Sequence, residues 1–474
     1  MKPQKLKKDK PVSVGVIGSG AFAGSAVGQF RRVPLLDIPV IAEKDLEVAR
    51  KAYRQAGLAD DEVVVCESRE QVMRAIESGR YAITADPMIL MDLPLDVIYE
   101  STGVPELGAR HAMAAVEHGK HVDMVNKEAD AVVGPILKYL ADRKGVVYSA
   151  VYGDQPGLLI GLVLWARSIG LDVVCGGKAV DDEYAWDPVK RTVTTRYSGK
   201  MTLSAYEADI LAPVPEGPGP EILAARRELL AGLIGQAGWA DLKELVIASN
   251  ATGLAPDIPS VHSPTLYSCE MPRVLCESKD GGILSAAGRI DAVVCLRNFN
   301  EAGLGGGVFV IVDGVTDSAR RALKATPVRM DGHPVSLITR PYHLYGLDSI
   351  NTILAAGLYG RATGAEQYLP RYDIVCRSRR DMKAGEIFEM LPRGHAGRKG
   401  SIMAGDVEGF FTPARAVEGN VPVPMLMLAG NPLIVDVAKG SVITCEMISP
   451  PADSALWDLR ERQDRHFLGD AECS

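Results

Sequence analysis

Apolar and polar positions along the first 150 residues separate strands from helices. Residues 12–17 form an apolar, β-branched run, which is typical of a parallel strand buried on both faces. Helical sequence follows it to residue 30. Further strand-like segments lie at 38–42, 96–103 and 120–127, and a helical segment occupies 109–117. This alternation predicts an α/β fold with a doubly wound parallel sheet.

The turn after the first run has the spacing G-x-G-x-x-A between strand and helix, a dinucleotide-binding fingerprint. Gly18 allows the tight turn, and Gly20 lets backbone amides approach a pyrophosphate. Ala23 lets the helix lie close to the strand, and the helix N-terminus adds partial positive charge. We therefore expect a Rossmann domain that binds NADH or NADPH, with contacts from Gly18, Ser19, Gly20, Ala21 and Phe22.

Two charged residues after the second strand bear on the choice of cofactor. Glu43 lies about twenty residues beyond the glycine turn, where a carboxylate binds the ribose hydroxyls and favours NAD. Lys44 would pair with a 2′-phosphate and favour NADP. The sequence leaves both cofactors open.

Composition narrows the function classes. The chain has 474 residues, of which 47% are hydrophobic, so it can build cores for several domains. A balance of 52 basic against 60 acidic residues and an aromatic content of 6% argue against a nucleic-acid partner. No window reaches the ~18 uncharged apolar residues that a membrane span needs. We expect an enzyme with a small-molecule substrate and with no nucleic-acid or membrane partner.

Cysteine usage bears on the compartment. The eight cysteines are scattered and include no C-x-x-C pair, which argues against a zinc ribbon or a redox dithiol. Scattered thiols in a long chain are typical of a reducing environment. We therefore predict a cytoplasmic protein.

The middle of the chain carries candidate chemical groups whose roles stay open. Asp154 precedes a helix expected to run to residue 169, and is either its N-cap or a catalytic or ligating carboxylate. The acidic residues 181–183 follow Lys178 and predict a solvated loop, which we favour, or a hard-cation site. His343 is either a structural histidine or part of the substrate site.

Further along, helical sequence occupies 220–251, and strand-like runs follow at 282–286, 292–296 and 308–312. The glycine cluster at 303–307 lies between the last two runs. It predicts a hairpin turn, because no helix follows that would make it a phosphate loop.

These patterns divide the chain into four predicted parts. They are a Rossmann domain at 1–150, an α+β substrate-binding and dimerisation domain at 151–365, a small β-rich domain at 366–451 and a charged tail at 452–474. We expect the tail to be loose or bound to a partner. We also expect a homo-oligomer, either a dimer or a tetramer.

Several motifs carry a family resemblance. Glu100-Ser101-Thr102-Gly103, His118-Gly119-Lys120-His121-Val122 and Asn126-Lys127 resemble homoserine dehydrogenases. Residues 152–157, 250–254 and 340–344 are similar to a narrower group of homoserine-dehydrogenase-like oxidoreductases with a C-terminal SAF domain, which 366–451 would supply. That group includes enzymes of isoprenoid biosynthesis that convert 1-deoxy-D-xylulose 5-phosphate into 2-C-methyl-D-erythritol 4-phosphate.

The resemblance implies roles for particular residues. It implies further cofactor contacts from Ser101, Thr102, Gly103 and Asn126. Lys127, expected at a strand end facing the nicotinamide, would polarise a carbonyl during hydride transfer. The candidate catalytic residues are Lys127, Glu128, Asp154, Lys178 and His343. A rearrangement before hydride transfer would add a divalent metal, Mg or Mn, held by Asp154 and Glu183.

One departure from homoserine dehydrogenases concerns the substrate. Those enzymes carry Thr or Ser and a small residue before the Asn-Lys pair, whereas Asp123-Met124-Val125 stands here. Acidic Glu128 and Asp130 follow the lysine. These residues predict a substrate other than homoserine.

Three functions are consistent with the sequence. The leading hypothesis is an NAD(P)H-dependent oxidoreductase of the CH–OH type that catalyses the reductoisomerase-like reaction. The alternative is a homoserine-dehydrogenase-type or sugar-acid dehydrogenase without rearrangement. The third is a non-catalytic cofactor-binding sensor or scaffold. A chelator would inhibit only the first, and a sensor would turn over nothing.

Overall fold

The computed structural model describes residues 10–197, 199–234, 237–325, 328–329, 335–389 and 401–469. The chain divides into two compact units. The first unit comprises residues 1–157, 344–407 and 413–474, and the second comprises 158–343 and 408–412. None of the described helices is long and apolar enough to cross a membrane.

The first unit contains a seven-stranded sheet among its described residues, in the order β3-β4-β2-β1-β5-β6-β7. Every neighbouring pair in it is parallel. Its strands are β1 (Val12–Ile17), β2 (Leu36–Ala42), β3 (Val63–Val65), β4 (Tyr81–Thr84), β5 (Val97–Glu100), β6 (His121–Met124) and β7 (Tyr148–Ala150). This order confirms the predicted doubly wound parallel sheet.

Helices connect these strands; the first follows Gly20, and the other four begin at polar or proline-containing positions. The Asp45 side chain accepts a hydrogen bond from the Glu47 amide at 3.0 Å, and Pro105 opens the fourth helix. The helices are α1 (Ala21–Val27), α2 (Leu46–Gln55), α3 (Arg69–Glu77), α4 (Pro105–Glu117) and α5 (Lys127–Lys144). The prediction that Lys127 ends a strand is wrong, because β6 stops at Met124 and Lys127 is the first residue of α5.

The second unit contains a mixed sheet in the order β11-β10-β9-β14-β8-β15-β17-β16, with β12 and β13 also paired to β14. Its strands are β8 (Asp172–Ala179), β9 (Tyr184–Asp187), β10 (Thr192–Thr194), β11 (Lys200–Thr202), β12 (Ala255–Pro256), β13 (Thr265–Leu266), β14 (Arg289–Asn298), β15 (Val308–Asp313), β16 (Val328–Arg329) and β17 (Val335–Arg340). The predicted hairpin around 303–307 is wrong, because β8 lies between β14 and β15 and pairs with both.

The helices from the unit boundary onwards are α6 (Gln155–Ser168), α7 (Ala205–Ile210), α8 (Pro220–Leu230), α9 (Trp239–Thr252), α10 (Met271–Val274) and α11 (Asp317–Leu323). The single helical stretch predicted at 220–251 is therefore two helices, α8 and α9. Residues 282–286 form no strand; Leu284 makes an isolated bridge to Glu277.

The C-terminal part contributes α12 (Ile350–Tyr359), β18 (Tyr372–Ser378), β19 (Ile387–Phe388), β20 (Ser401–Ile402), β21 (Val407–Pro413) and α13 (Ala455–Phe467). Helix α12 packs against β1, β5 and β6 and completes the core of the first unit with Ile353 and Ala356. The assignment of 366–451 as a SAF domain stays a prediction.

The expectation of a loose tail is wrong for α13. Arg460 is buried and forms two hydrogen bonds to Asp373, at 2.6 and 2.7 Å. Gln463 reaches into α5, where Pro135 lacks an N–H: it donates to the Val132 carbonyl at 2.9 Å and accepts from the Ile136 amide at 3.2 Å. The charged sequence at 455–467 therefore forms a packed helix, and its Gln463 side chain completes the hydrogen bonding of α5.

Candidate functional site

The glycine turn follows β1 at the carboxyl edge of the parallel sheet. Gly18 has φ = +81°, and a Cβ there would lie 2.9 Å from the Ser101 carbonyl oxygen. The Gly18 amide donates to the Ala42 carbonyl at 2.9 Å. Both the positive φ and the close approach require glycine at this position.

Gly20 is different, because no described residue lies close enough to require glycine there. Its φ is −60°, and a Cβ would have no described heavy atom within 4 Å. Gly20 is the N-cap of α1, so the first amides of that helix lie beside open space. This geometry fits a pyrophosphate held against the backbone, and the residues of the turn fit a dinucleotide.

Aromatic rings lie beside the same turn. The Phe22 ring packs edge-on against Tyr345, with 6.3 Å between ring centroids, and Ala21 is exposed. Tyr345 has φ = +50°, a strained value for a bulky residue, and a Cβ on its neighbour Gly346 would lie 2.0 Å from the Phe22 carbonyl oxygen. Sequence reasoning missed Tyr345, because its contact with α1 joins residues more than three hundred positions apart.

Glu43 faces the glycine turn. Its carboxylate accepts hydrogen bonds from the Ser19 amide at 2.7 Å and the Ser19 hydroxyl at 3.2 Å. Lys44 is exposed beside it. Glu43 thus lies where the sequence predicts a ribose-binding carboxylate, and the choice between NAD and NADP stays open.

The loop after β5 is held in place by Asn126. The Asn126 side-chain amide donates to Thr102 Oγ1 at 3.0 Å and to the Val104 carbonyl at 2.9 Å, and its oxygen caps α5 by accepting from the Ala129 amide at 3.1 Å. Thr102 Oγ1 donates to buried Glu100 at 2.6 Å. Asn126 therefore links the 101–104 loop, with Ser101 and Gly103, to the start of α5.

Lys127 pairs with Asp154. Its Nζ lies 3.0 Å from Asp154 Oδ2 and 3.2 Å from Oδ1, and Asp154 also accepts from the Gln155 amide at 2.8 Å. The Lys127 side chain is 22% exposed, whereas that of Asp154 is 4% exposed. A nearly buried carboxylate thus holds a partly accessible ammonium group, with Glu128 next in α5. Position and pairing make Lys127 the strongest candidate for contact with a substrate oxygen.

Buried acids lie close to this pair in the chain. Burial raises the pKa of Asp130 to about 7, although hydrogen bonds from Tyr148 and Tyr368 oppose the shift. Neither carboxyl oxygen of Asp123 has a hydrogen-bond partner among the described residues, and burial raises its pKa well above the ordinary value. A protonated, uncharged Asp123 side chain is the form that this site favours.

The second unit carries its own charged cluster at the end of β8. Lys178 is buried; its Nζ lies 2.8 Å from Asp241 and also contacts Glu244. Burial alone would lower the pKa of Lys178, but the charges of Asp241, Glu244 and Asp181 outweigh it and raise the pKa. Lys178 is therefore held as an ammonium ion, and its assignment as a catalytic residue stays a prediction. Asp241 and Glu244 were missed, although acids spaced three apart in the apolar α9 sequence were a usable signal.

The acidic stretch 181–183 is not the solvated loop that we favoured. Glu183 is buried, accepts from Arg297 Nε at 2.8 Å, and accepts from the amides of Leu304 and Gly305 at 3.1 and 2.9 Å. Asp182, also buried, accepts from the Arg196 amide at 2.7 Å. Both side chains fix backbone segments that lie far from them in sequence.

His343 lies on the glycine turn that covers Glu183. Its Nδ1 is 2.6 Å from the Gly306 carbonyl oxygen, which can only accept, so Nδ1 carries the proton. In the neutral ring, the lone pair is then on Nε2. Asp181 Oδ1 is buried with no hydrogen-bond partner among the described residues. The second unit therefore offers an oriented imidazole and a buried carboxylate oxygen beside the end of β8.

The predicted metal ligands do not fit a divalent metal. Asp154 faces the Lys127 ammonium and Glu183 faces the Arg297 guanidinium, so each carboxylate already has a cation. The described residues contain no group of three or more His, Cys, Asp or Glu side chains arranged to hold a metal ion. We derive no step through a metal.

Two sequence comparisons bear on this arrangement. Residues 238–349 match the family described as "Oxidoreductase DRL, catalytic domain". Homoserine dehydrogenases from Neisseria gonorrhoeae and Pseudomonas aeruginosa are 26% and 33% identical to this chain over 151 residues, covering 31% of each chain. The chain thus matches less than a third of the length of these relatives. The matches support the coarser prediction, an oxidoreductase similar to homoserine dehydrogenases; the SAF domain and the reductoisomerase likeness stay predictions.

A structural comparison adds little. A homoserine dehydrogenase from Thiobacillus denitrificans aligns over 79% of this chain and 83% of its own, with 13% sequence identity and a TM-score of 0.39. A likeness at that level carries no functional argument. The parallel sheet and its glycine turn therefore rest on the strand order and contacts described above.

Proposed function

We propose that this protein is an NAD(P)-dependent dehydrogenase that acts on a small hydroxy compound without rearranging its carbon skeleton, as a homoserine-type or sugar-acid dehydrogenase does. The observation that carries the proposal is the Lys127–Asp154 pair at 3.0 Å, in the same unit as a glycine turn with open space at Gly20. Both follow strands of one parallel sheet, at the edge where such folds bind dinucleotides.

The chemistry follows from the two residues. A bound nicotinamide supplies or accepts the hydride. The Lys127 ammonium donates a hydrogen bond to the substrate oxygen and stabilises the negative charge that grows there as a carbonyl is reduced. Asp154 orients that ammonium group through the ion pair. As hydride reaches the carbonyl carbon, the ammonium group gives one proton to the oxygen, which leaves an alcohol and a neutral amine that solvent reprotonates. In the oxidative direction, the neutral amine accepts the hydroxyl proton as hydride leaves.

The metal-assisted reductoisomerase reaction has weaker support. It requires carboxylates available to a divalent ion, whereas Asp154 and Glu183 each face a basic side chain. The match of residues 238–349 to an oxidoreductase catalytic domain favours an enzyme over a non-catalytic sensor.

One screen separates these functions. NADH and NADPH oxidation would be followed with semialdehydes, oxidised sugar acids and ketose phosphates, each with and without chelator. We expect turnover that is insensitive to chelator on one of the first two classes. Turnover only with ketose phosphates, abolished by chelator, would favour the reductoisomerase; cofactor binding without any turnover would favour the sensor.

The role of Lys127 has its own test. Lys127→Ala is expected to lower kcat by about a hundredfold, the effect of removing one donor to a developing oxyanion, and to leave cofactor Kd within a few fold. Lys127→Arg should rescue little, because the guanidinium is larger and does not release a proton near neutral pH. Lys144→Ala, which changes an exposed lysine at the other end of α5, is the matched control. Near-native kcat in Lys127→Ala would overturn the assignment.

A further inference from the structure

Several charged side chains of the second unit lie where one edge of β14 is interrupted in its strand pairing. In the second unit, β12 and β13 both pair in parallel with β14, at Pro256–Ile290 and Thr265–Val294. The chain between them, residues 257–264, leaves the sheet and returns. We call this segment the 257–264 loop.

Asp291 on β14 anchors the return of this loop. The residue is buried, and its Oδ1 accepts from the amides of His262 and Ser263, each at 3.0 Å, and from the Ala292 amide at 2.8 Å. One carboxylate thus replaces the strand pairing that is missing at this point of β14.

The same carboxylate also binds the His262 ring. His262 Nδ1 lies 2.7 Å from Asp291 Oδ2, and Nε2 lies 3.5 Å from Asp257 Oδ2. Arg289 of β14 pairs with Asp257 at 3.1 Å, and Arg227 of α8 donates to the His262 carbonyl at 2.9 Å. Burial would lower the pKa of His262 and Arg227 lowers it further, but Asp291 and Asp257 outweigh both and raise it above its ordinary value.

Backbone strain flanks the histidine on both sides. Val261 has φ = +53° and Ser263 has φ = +46°, and neither is a glycine. For a β-branched residue such as Val261 this is an outlier. Such a conformation costs stability, and the surrounding contacts must offset that cost. Here those contacts converge on Asp291 and His262.

The loop has a contact that reports its conformation. The Pro259 carbonyl accepts from the Phe411 amide at 2.7 Å, and Phe411 is buried. Residues 408–412 belong to the second unit, although the residues before and after them in sequence belong to the first. The 408–412 segment is therefore held in the second unit in part by this hydrogen bond, which forms only when the loop places the Pro259 carbonyl next to the Phe411 amide.

We propose that His262 is a proton-controlled clamp, which in its charged form holds the strained 257–264 loop in the conformation that receives residues 408–412. The imidazolium and the Arg289 guanidinium together balance the charges of Asp257 and Asp291. Loss of the His262 proton leaves Arg289 alone to balance both carboxylates, and the strain then favours release. Because the folded state raises the proton affinity of His262, the clamp is closed below the ordinary histidine pKa and opens as pH rises through the higher folded value.

The test follows the protonation of the His262 ring and the hydrogen exchange of the Phe411 amide by NMR as pH is varied. The protein has eight histidines and eight phenylalanines, so selective labelling of His ring carbons and Phe amides gives resolvable NMR signals, assigned with His262→Gln and Phe411→Leu. We expect His262 to titrate above about 6.5. The Phe411 amide, corrected for intrinsic exchange, should lose at least tenfold protection over the same pH range.

Variants sharpen the test. Asp291→Asn should move both transitions to lower pH, and His262→Gln should leave Phe411 weakly protected at every pH. Ser263→Gly relieves strain and should retain more protection at high pH. His118→Gln, an exposed histidine of the first unit beside Asp92, is the matched control and should change nothing.

Two outcomes would overturn the clamp. One is a His262 ring that titrates below its ordinary range; the other is Phe411 protection that stays constant while His262 titrates. Should His262→Gln fail to fold, the wild-type pH series decides the question alone. None of these measurements depends on enzymatic activity, so the proposal stands or falls independently of the proposed dehydrogenase function.

Discussion

The two glycine-rich turns of this protein differ in what occupies the space where side chains would be. At Gly20 a Cβ would have no described heavy atom within 4 Å, whereas at Gly303 it would lie 2.1 Å from a Glu183 carboxylate oxygen. The second turn is glycine-rich because it wraps around an internal carboxylate that its own amides bind. Among the described residues, no side chain approaches Gly20 of the first turn in the same way. Glycine content alone therefore does not distinguish a ligand-binding loop from a structural one. The two are distinguished by which atoms an added Cβ would contact at each glycine.

The largest expected effect comes from Gly303→Ala. Its Cβ would collide with Glu183, whose position is fixed by Arg297 and two amides, so the turn must move. We expect a loss of about 3 kcal/mol in unfolding free energy, at the upper end for overpacking. Urea unfolding measures it, with Gly305→Ala as the milder control because its Cβ would lie 3.0 Å from the same oxygen. Equal stability of Gly303→Ala and wild type would remove the distinction between the turns.

Gly20→Val should show the opposite pattern. No described heavy atom lies within 4 Å of the new Cβ, so unfolding free energy should stay within about 1 kcal/mol, the range of an N-cap change. A branched side chain at this position should weaken NADH or NADPH binding at least tenfold, or about 1.4 kcal/mol. Calorimetric titration of both cofactors gives the answer. Unchanged affinity would make this turn as purely structural as the other.

The smallest effect concerns Glu43, which links the first turn to cofactor choice. Glu43→Ala removes the carboxylate that accepts from Ser19, and a single hydrogen bond contributes about 0.5–1.5 kcal/mol. If the enzyme uses NAD, its KM for NAD should rise several fold relative to that for NADP. Lys44→Ala should give the reverse bias if NADP is the cofactor. No change in preference with either variant would mean that both side chains lie outside the ribose site.

Sequence reasoning succeeded where structure is local. Parallel strands buried on both faces leave unbroken apolar runs such as 12–17, and a glycine turn between strand and helix has a fixed spacing. Both are visible within thirty residues, so the sheet and the position of the glycine turn between β1 and α1 were predicted correctly. Lys127 was predicted at the end of β6 but is the first residue of α5, because β6 ends three residues before it.

The misses share one physical cause, which is pairing between residues distant in sequence. Glu183 was expected in a solvated loop because its partner Arg297 is 114 positions away. The hairpin at 303–307 failed because β8 inserts between β14 and β15. Charged α13 was expected to be loose because the partner of Arg460, Asp373, lies 87 positions earlier. The sequence shows that a residue is charged, but only the fold shows whether a residue of opposite charge lies beside it.

The insertion of Gln463 into α5 has a consequence for how the chain acquires its structure during synthesis. The broken turn at Pro135 is completed by a side chain translated more than three hundred residues later, and α12, which covers the sheet, also comes after residues 158–343 of the second unit. At typical elongation rates of about 5–20 residues per second, the interval is on the order of tens of seconds. While the second unit is being synthesised, the nascent first unit therefore has a sheet face not yet covered by α12, and α5 lacks its hydrogen bonds to Gln463. A ribosome-bound chain stalled before residue 455 should be far more protease-sensitive in α5 than the released protein.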